Sequence, residues 1–154
     1  MTGQGTATSV DERAVRAALA EVADPEIPVV SIVDLGMVEA VQVDPARIRV
    51  ELLPTFVGCP ALEVIRDVVE GRLEAFGLPV HVDFSFRVPW TSDRISAAGR
   101  ERLRAAGFAG PGDEQCPHCG SSNVALDNLF GPTRCRSLLY CRACRQPFES
   151  FKVV

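Results

Sequence analysis

Four cysteines near the end of the chain carry the clearest chemistry. Cys116-Pro117-His118-Cys119-Gly120 and Cys141-Arg142-Ala143-Cys144, with 21 residues between Cys119 and Cys141, each hold a pair of thiols separated by two residues. One tight turn then aims both sulfurs of a pair at a single ion, and two such turns supply the ligands of a closed tetrahedral site. The segments Ser122 to Leu126, Thr133 to Tyr140 and Gln146 to Lys152 read as short strands around them. The pattern predicts a zinc ribbon over residues 114–154, with Cys116, Cys119, Cys141 and Cys144 holding a structural Zn²⁺. So small a unit buries too little core to fold alone, so the metal supplies most of its folding free energy. Loss of the metal is expected to unfold this unit selectively. Iron in a rubredoxin-like tetrahedron is the competing metal; the second knuckle ends in Arg145 where the first has Gly120, which favours zinc. A redox Cys-x-x-Cys normally occurs once, opening a helix after a strand, and fits less well.

Two cysteines lie outside that set. Cys59 stands just before Pro60, where a helix is expected to start, and the free N–H groups and dipole of a helix start favour the thiolate. A lowered pKa and a reactive sulfur are therefore expected there. Cys135 falls in a predicted strand and reads as a small core residue beside the metal site. To act as a redox partner of Cys59 it would have to reach across domains. His118 sits inside the first knuckle and would ligate only if a cysteine were displaced, and His81 lies on the polar face of a strand. Asp24, Glu26 and Asp34 are carboxylates in tight turns, which by themselves read as caps and turn formers.

The elements that must position these residues follow from periodicity. Ser9 and Glu12 form a capping box ahead of Val10, Val15, Ala18, Leu19 and Val22, predicting a helix up to Glu21 or Val22. Asp24-Pro25-Glu26-Ile27-Pro28 ends it, and Ser31 to Gly36 reads as a turn. Met37 to Val43 and Arg47 to Leu53 pair as a hairpin around Asp44-Pro45-Ala46. A loop through Cys59 leads to a helix from Pro60 to about Phe76, capped by Gly77, with Leu62, Ile65, Val69 and Leu73 in its apolar stripe. Val80 to Phe86 alternates as a strand, and Ser96 to Ala106 forms a last helix. The fold class is α+β: a disordered tail over residues 1–9, a small two-layer helix-on-sheet domain over 10–107, a Gly-Pro linker over 108–113, and the ribbon of short antiparallel strands over 114–154.

Composition bounds the rest. The 154 residues are 47% hydrophobic and 23% charged, an ordinary balance for one or two small globular domains. No apolar run approaches the roughly 18 residues of a membrane helix. Met1 to Ser9 has neither the basic nor the apolar region of a secretory signal, so a cytoplasmic location is expected, where metal ligation outcompetes disulfides. Residues 1–113 carry 11 Arg against 17 acidic residues, a net −6, while residues 114–154 carry five basic and three acidic residues, a net +2. A zinc held by four thiolates adds about −2. A ribbon that binds nucleic acid is therefore disfavoured, because phosphate attraction would be weak. A docking module for protein remains the alternative to metal delivery.

Three motifs in order carry a family resemblance: Asp24-Pro25-Glu26-Ile27-Pro28, Ser31-Ile32-Val33-Asp34-Leu35-Gly36 and Thr55-Phe56-Val57-Gly58-Cys59-Pro60. They resemble the signatures of SufT-like iron–sulfur assembly factors and of the eukaryotic cytosolic iron–sulfur targeting factors. With Pro89-Trp90-Thr91-Ser92-Asp93 and the ribbon, the chain from about Val10 to Val154 is similar to the D-protein family of bacterial phenylacetate-degradation clusters, the D subunits of phenylacetyl-CoA epoxidase or oxygenase. The resemblance implies an accessory protein that assists assembly or maturation of an iron–sulfur or di-iron centre in the oxygenase or in its iron–sulfur flavin reductase. It implies Cys59 as the reactive cysteine, with Asp34 and Thr55 beside it, a transient iron or iron–sulfur cluster as cargo, and Cys135 as an additional thiol. The oxygenase subunits or the reductase are the implied partners, and a homodimer with two facing Cys59 sulfurs is compatible with the motif. The chain carries no paired Glu-x-x-His, no Gly-rich dinucleotide loop and no plant-type ferredoxin spacing, so no catalysis of its own is expected.

Overall fold

The computed structural model describes residues 10–113 and 115–152. The expected tail, Ser9 of the expected capping box, Glu114 and residues 153–154 lie outside them. Helix α1 (Glu12–Leu19) is capped by Asp11, whose carboxylate accepts the Ala14 N–H at 2.7 Å, so the cap lies two residues beyond Ser9. Its buried face is Val15, Ala18 and Leu19.

Strands β1 (Val38–Asp44) and β2 (Arg47–Leu52) form the expected antiparallel hairpin. Asp44 Oδ1 accepts the N–H groups of Ala46 and Arg47 at 2.8 and 2.9 Å, which closes the turn without a glycine. Helix α2 (Leu62–Leu73) continues as one 3₁₀ turn, Glu74–Phe76, and stops at Gly77, whose φ of 72° is the left-handed cap. Strand β3 (Val80–Phe84) then lies parallel to β2, from Ile48 opposite Val80 to Leu52 opposite Phe84. α2 is thus the crossover of a βαβ unit, and the sheet order is β1-β2-β3. Ile48, Val50 and Leu52 of β2 meet Ile65, Val69 and Leu73 of α2 and Val15 and Leu19 of α1 in the main core.

After β3 the chain returns over this core. The indole N–H of Trp90 donates to the Leu35 carbonyl at 2.7 Å. Helix α3 (Ala97–Ala105) is capped by Ser96, whose hydroxyl accepts the Gly99 N–H at 2.9 Å, and it buries Leu103.

The expected linker is different. Phe108–Ala109 form β4, which pairs parallel with β7 (Pro147–Phe151) in a sheet ordered β4-β7-β6-β5, where β5 is Val124–Asn128 and β6 is Arg136–Cys141. Glycine content suggested a tether, but Ala109 is buried and the free edge of β7 supplies backbone partners, so the segment belongs to the ribbon sheet. The sheet is consequently not wholly antiparallel. Nor is the ribbon self-contained, because Phe151 of β7 is only 3% exposed and packs into the core of the first domain. Among the described residues no helix is long and apolar enough to cross a membrane.

Candidate functional site

The ribbon knuckles bring the four predicted ligands together. Their sulfurs all lie within 4.8 Å of one another, with Cys116 to Cys144 at 3.7 Å and Cys119 to Cys141 at 3.6 Å. A tetrahedron with zinc–sulfur bonds of about 2.3 Å has edges of about 3.8 Å, so the donor set fits zinc as it stands. The two knuckles are local copies. The Gly120 N–H donates to the Cys116 carbonyl and the Arg145 N–H to the Cys141 carbonyl, both at 2.8 Å, and φ is 75° at Gly120 and 60° at Arg145. Arg145 adopts the left-handed conformation its glycine counterpart uses, so the missing glycine does not separate zinc from iron. His118 is no ligand; its ring packs edge-on against Phe148. Without an ion, burial pushes the Cys144 thiol up, while the Cys144 N–H draws the Cys141 thiol down. A bound dication favours thiolate at all four and releases the protons.

A second constellation forms where the ribbon meets the first domain. Cys59 and Cys135 line one cavity of about 250 Å³, together with Glu26, Phe56, Phe130 and Thr133. A smaller void of about 10 Å³ shares Glu26, Cys59 and Cys135 with it, and is bordered also by Asp24, Thr55 and a largely apolar wall that includes Leu35, Met37 and Phe151. Gly58, at φ 81°, turns the loop so that Cys59 precedes α2. Cys135, immediately before β6, is fixed from both sides: its carbonyl accepts the Lys152 N–H at 2.9 Å, and its sulfur lies 3.2 Å from the Thr133 hydroxyl. Thr133 is held in turn by Nε–H of the buried Arg136 at 2.8 Å. The two prolines hold Asp24 in a closed turn, in which its Oδ1 accepts the N–H groups of Glu26 and Ile27, each at 2.9 Å.

Electrostatics at Cys59 reverse the expectation of a lowered pKa. Burial pushes the thiol up, and the negative charges of Glu26, Cys135 and Asp24 add to this, outweighing the N–H of Ala61. The regular helix begins only at Leu62, so its dipole is too far along to dominate. Burial raises Cys135 and Asp24 as well. Left to itself, this pocket favours protonated thiols; a cation placed in it inverts that preference.

Of the residues implied beside Cys59, Thr55 shares the void and Asp34 does not. Asp34 sits under the start of α3, with its carboxylate accepting the Ser31 N–H at 3.2 Å and the Ser96 hydroxyl at 3.3 Å and paired with Arg102. Burial raises its pKa, but the Ser31 N–H, Arg102 and the two hydroxyls outweigh that and leave it lowered. A carboxylate with a depressed folded pKa contributes stability that is complete above its unfolded pKa and is lost as pH falls through the folded one. Asp34→Asn is therefore expected to destabilise by about 1–2 kcal/mol at neutral pH. The gap to the wild type should close as denaturant melts are repeated below the ordinary carboxylate range; a gap independent of pH would show that charge plays no part. Asp24 and Glu26, read from sequence as turn formers, occupy the place by Cys59 instead. The signal for them was the Asp-Pro-Glu turn itself, which spends only one oxygen of Asp24 on the backbone.

Comparison with known proteins places both halves. Residues 12–84 match the family model of the iron–sulfur cluster assembly protein, and residues 105–152 match that of the PaaD zinc beta ribbon domain. The chain is 36% identical over 149 residues to an Escherichia coli protein named as the D subunit of 1,2-phenylacetyl-CoA epoxidase, covering 90% of each. Among solved structures it is similar to a domain of unknown function (DUF59) from Bacillus anthracis, at 29% identity and a TM-score of 0.56 over 60% of this chain and 90% of that one. It is also similar to a conserved hypothetical protein from Thermotoga maritima, at 30% identity and a TM-score of 0.54 over 62% and 95%. Both solved relatives correspond to the first domain in extent. The ribbon match identifies the four-cysteine site as a structural zinc site.

Proposed function

We propose that this chain, which belongs to the family of the 1,2-phenylacetyl-CoA epoxidase D subunits, is a cytoplasmic accessory subunit of that ring-epoxidising system, without oxygenation chemistry of its own. It assists assembly or maturation of an iron–sulfur or di-iron centre in the oxygenase or in its iron–sulfur flavin reductase. A place in phenylacetate degradation is supported by the relative's name, and a place in iron–sulfur assembly by the match over residues 12–84. The observation that carries the finer reading is the position of Cys59: a thiol in an open pocket at the junction of the assembly domain and the ribbon, away from the structural zinc ligands. Cys59 is the transfer ligand in this reading, Thr55 borders it, and the ribbon completes the wall. Exposed Phe130, which lines the cavity, suits contact with a client protein.

The test is Cys59→Ala in cells that depend on the phenylacetyl-CoA oxygenase. Removing a single ligand of a transfer site should lower oxygenase activity roughly tenfold or more. The variant itself should keep its zinc and its melting temperature, while the client is recovered short of iron or cluster. A variant that melts markedly lower but still supports a fully metallated oxygenase would make Cys59 a packing residue and end the assembly reading at this position.

A further inference from the structure

We infer that Cys59 and Cys135, with Asp24 and Glu26, form a second metal site shared between the two domains, which takes a single divalent transition-metal ion of the iron(II) class as cargo. This rests on the proposed assembly role and specifies what the Cys59 pocket holds. Size comes first. The void that these four side chains border, along with Thr55 and an apolar wall that includes Ile27, Met37 and Phe151, measures about 10 Å³, close to the single probe sphere needed for one water or ion and far below what a cluster requires. Two sulfurs and two carboxylates mix soft and hard donors, a set suited to iron(II), cobalt(II) or zinc rather than magnesium or calcium.

The second argument is the carboxylate of Asp24. Its Oδ1 makes both hydrogen bonds of the turn, and among the described residues its Oδ2 makes none. An asparagine would close the same turn without burying a charge. Because no buried side-chain oxygen among the described residues lacks a partner, this Oδ2 is not sealed in but is left open as a charged donor that an incoming cation can reach. Arg136, buried next to Cys135 and ion-paired with Glu149, also lowers the cost of charge on Asp24.

The third is openness. Among the described residues the ribbon cysteines are the only group of three or more donors whose atoms all lie within 4.8 Å of one another, so the interdomain donors must swing inward to close on an ion. The cavity of about 250 Å³ that shares Glu26, Cys59 and Cys135 gives an ion a way in and out. A gathered, closed set suits the permanent zinc, and a loose set beside an open cavity suits an ion that is passed on. On binding, each thiol gives up its proton to solvent as its sulfur bonds the metal, with no change in oxidation state.

The experiment is anaerobic titration of the full chain, its ribbon zinc in place, with cobalt(II). One equivalent beyond the zinc is expected, with thiolate-to-cobalt charge-transfer absorption. Cys59→Ser and Cys135→Ser should each cut that absorption by about half and weaken binding by on the order of 10–100-fold, with zinc retained. Asp24→Asn, which preserves the turn, should weaken binding while leaving the absorption per bound ion unchanged. No second equivalent overturns the site, and so does binding indifferent to Cys135→Ser or to Asp24→Asn. Should Cys135→Ser lose zinc or fold, Asp24→Asn decides alone. If Cys59→Ser abolishes uptake and Cys135→Ser does not, the shared site falls while the assembly role of Cys59 stands. If Cys59→Ala sustains a fully metallated oxygenase, the assembly role falls whatever cobalt does.

Discussion

Replacing Cys119 or Cys144 by serine, or withdrawing the ribbon metal with a chelator, is expected to unfold the ribbon and to lower the melting temperature of the first domain with it. The first effect follows from size: a strand unit of this length depends on its metal for most of its folding free energy. The second follows from Phe151. It belongs to β7 yet packs into the core built by α1, α2 and the first sheet, and Cys135 packs against that core too. Losing a buried phenylalanine contact set costs about 3–5 kcal/mol. In a domain of this size each kcal/mol moves the midpoint by about 4–8 °C, so a fall of roughly 10 °C or more is expected. Phe151→Ala in the zinc-loaded chain should reproduce the first-domain part without zinc loss. Far-UV melts with limited proteolysis separate the two domains. A first domain that melts unchanged after the ribbon has collapsed would return the ribbon to the status of an independent appendage, as residue spacing alone suggested.

Gly36→Ala should be the most damaging single methyl in the first domain. Gly36 has φ 67°, where an L-residue other than glycine costs about 1–2 kcal/mol. A Cβ there would also stand 2.3 Å from the Arg94 carbonyl oxygen and 2.5 Å from the Arg94 Cβ, so backbone must move. Such overpacking costs a further 1–3 kcal/mol, giving about 3 kcal/mol or more in total. The displaced partners matter, because Arg94 Nε–H donates to the Gly36 carbonyl at 2.8 Å and Trp90 holds the neighbouring Leu35. The substitution therefore pries the return segment and α3 off the core. Gly77→Ala is the control: its φ is 72°, but nothing lies within 4 Å of the added carbon, so it should lose only the conformational part. Equal losses at the two positions in denaturant melts would show that the contact with Arg94 is not tight.

What the sequence determined by itself was set by short-range constraints. Two residues between thiols define a knuckle, a period of 3.6 marks α2, and Asp44-Pro45-Ala46 closes a hairpin, because each depends on backbone geometry within a few residues. The zinc ligands and the elements of the first domain were legible on those terms, and so was Cys59 as a loop thiol.

The neighbourhood of Cys59 was not legible. Asp24 lies 35 residues before it and Cys135 lies 76 after it, and their meeting depends on the parallel pairing of β2 with β3, on β4 joining β7, and on Phe151 finding the first core. Asp34 shows the converse. Close to Cys59 in motif terms, it was drawn away by Ser96 and Arg102 once α3 docked. The sign of the Cys59 shift belongs here too, since the helix start that argued for a thiolate is local, whereas the burial and the carboxylates that oppose it come from distant segments. Spacing along a chain encodes turns and periods; which surfaces bury each other is decided by apolar area and backbone pairing summed over the whole fold, and only the tertiary structure carries that sum.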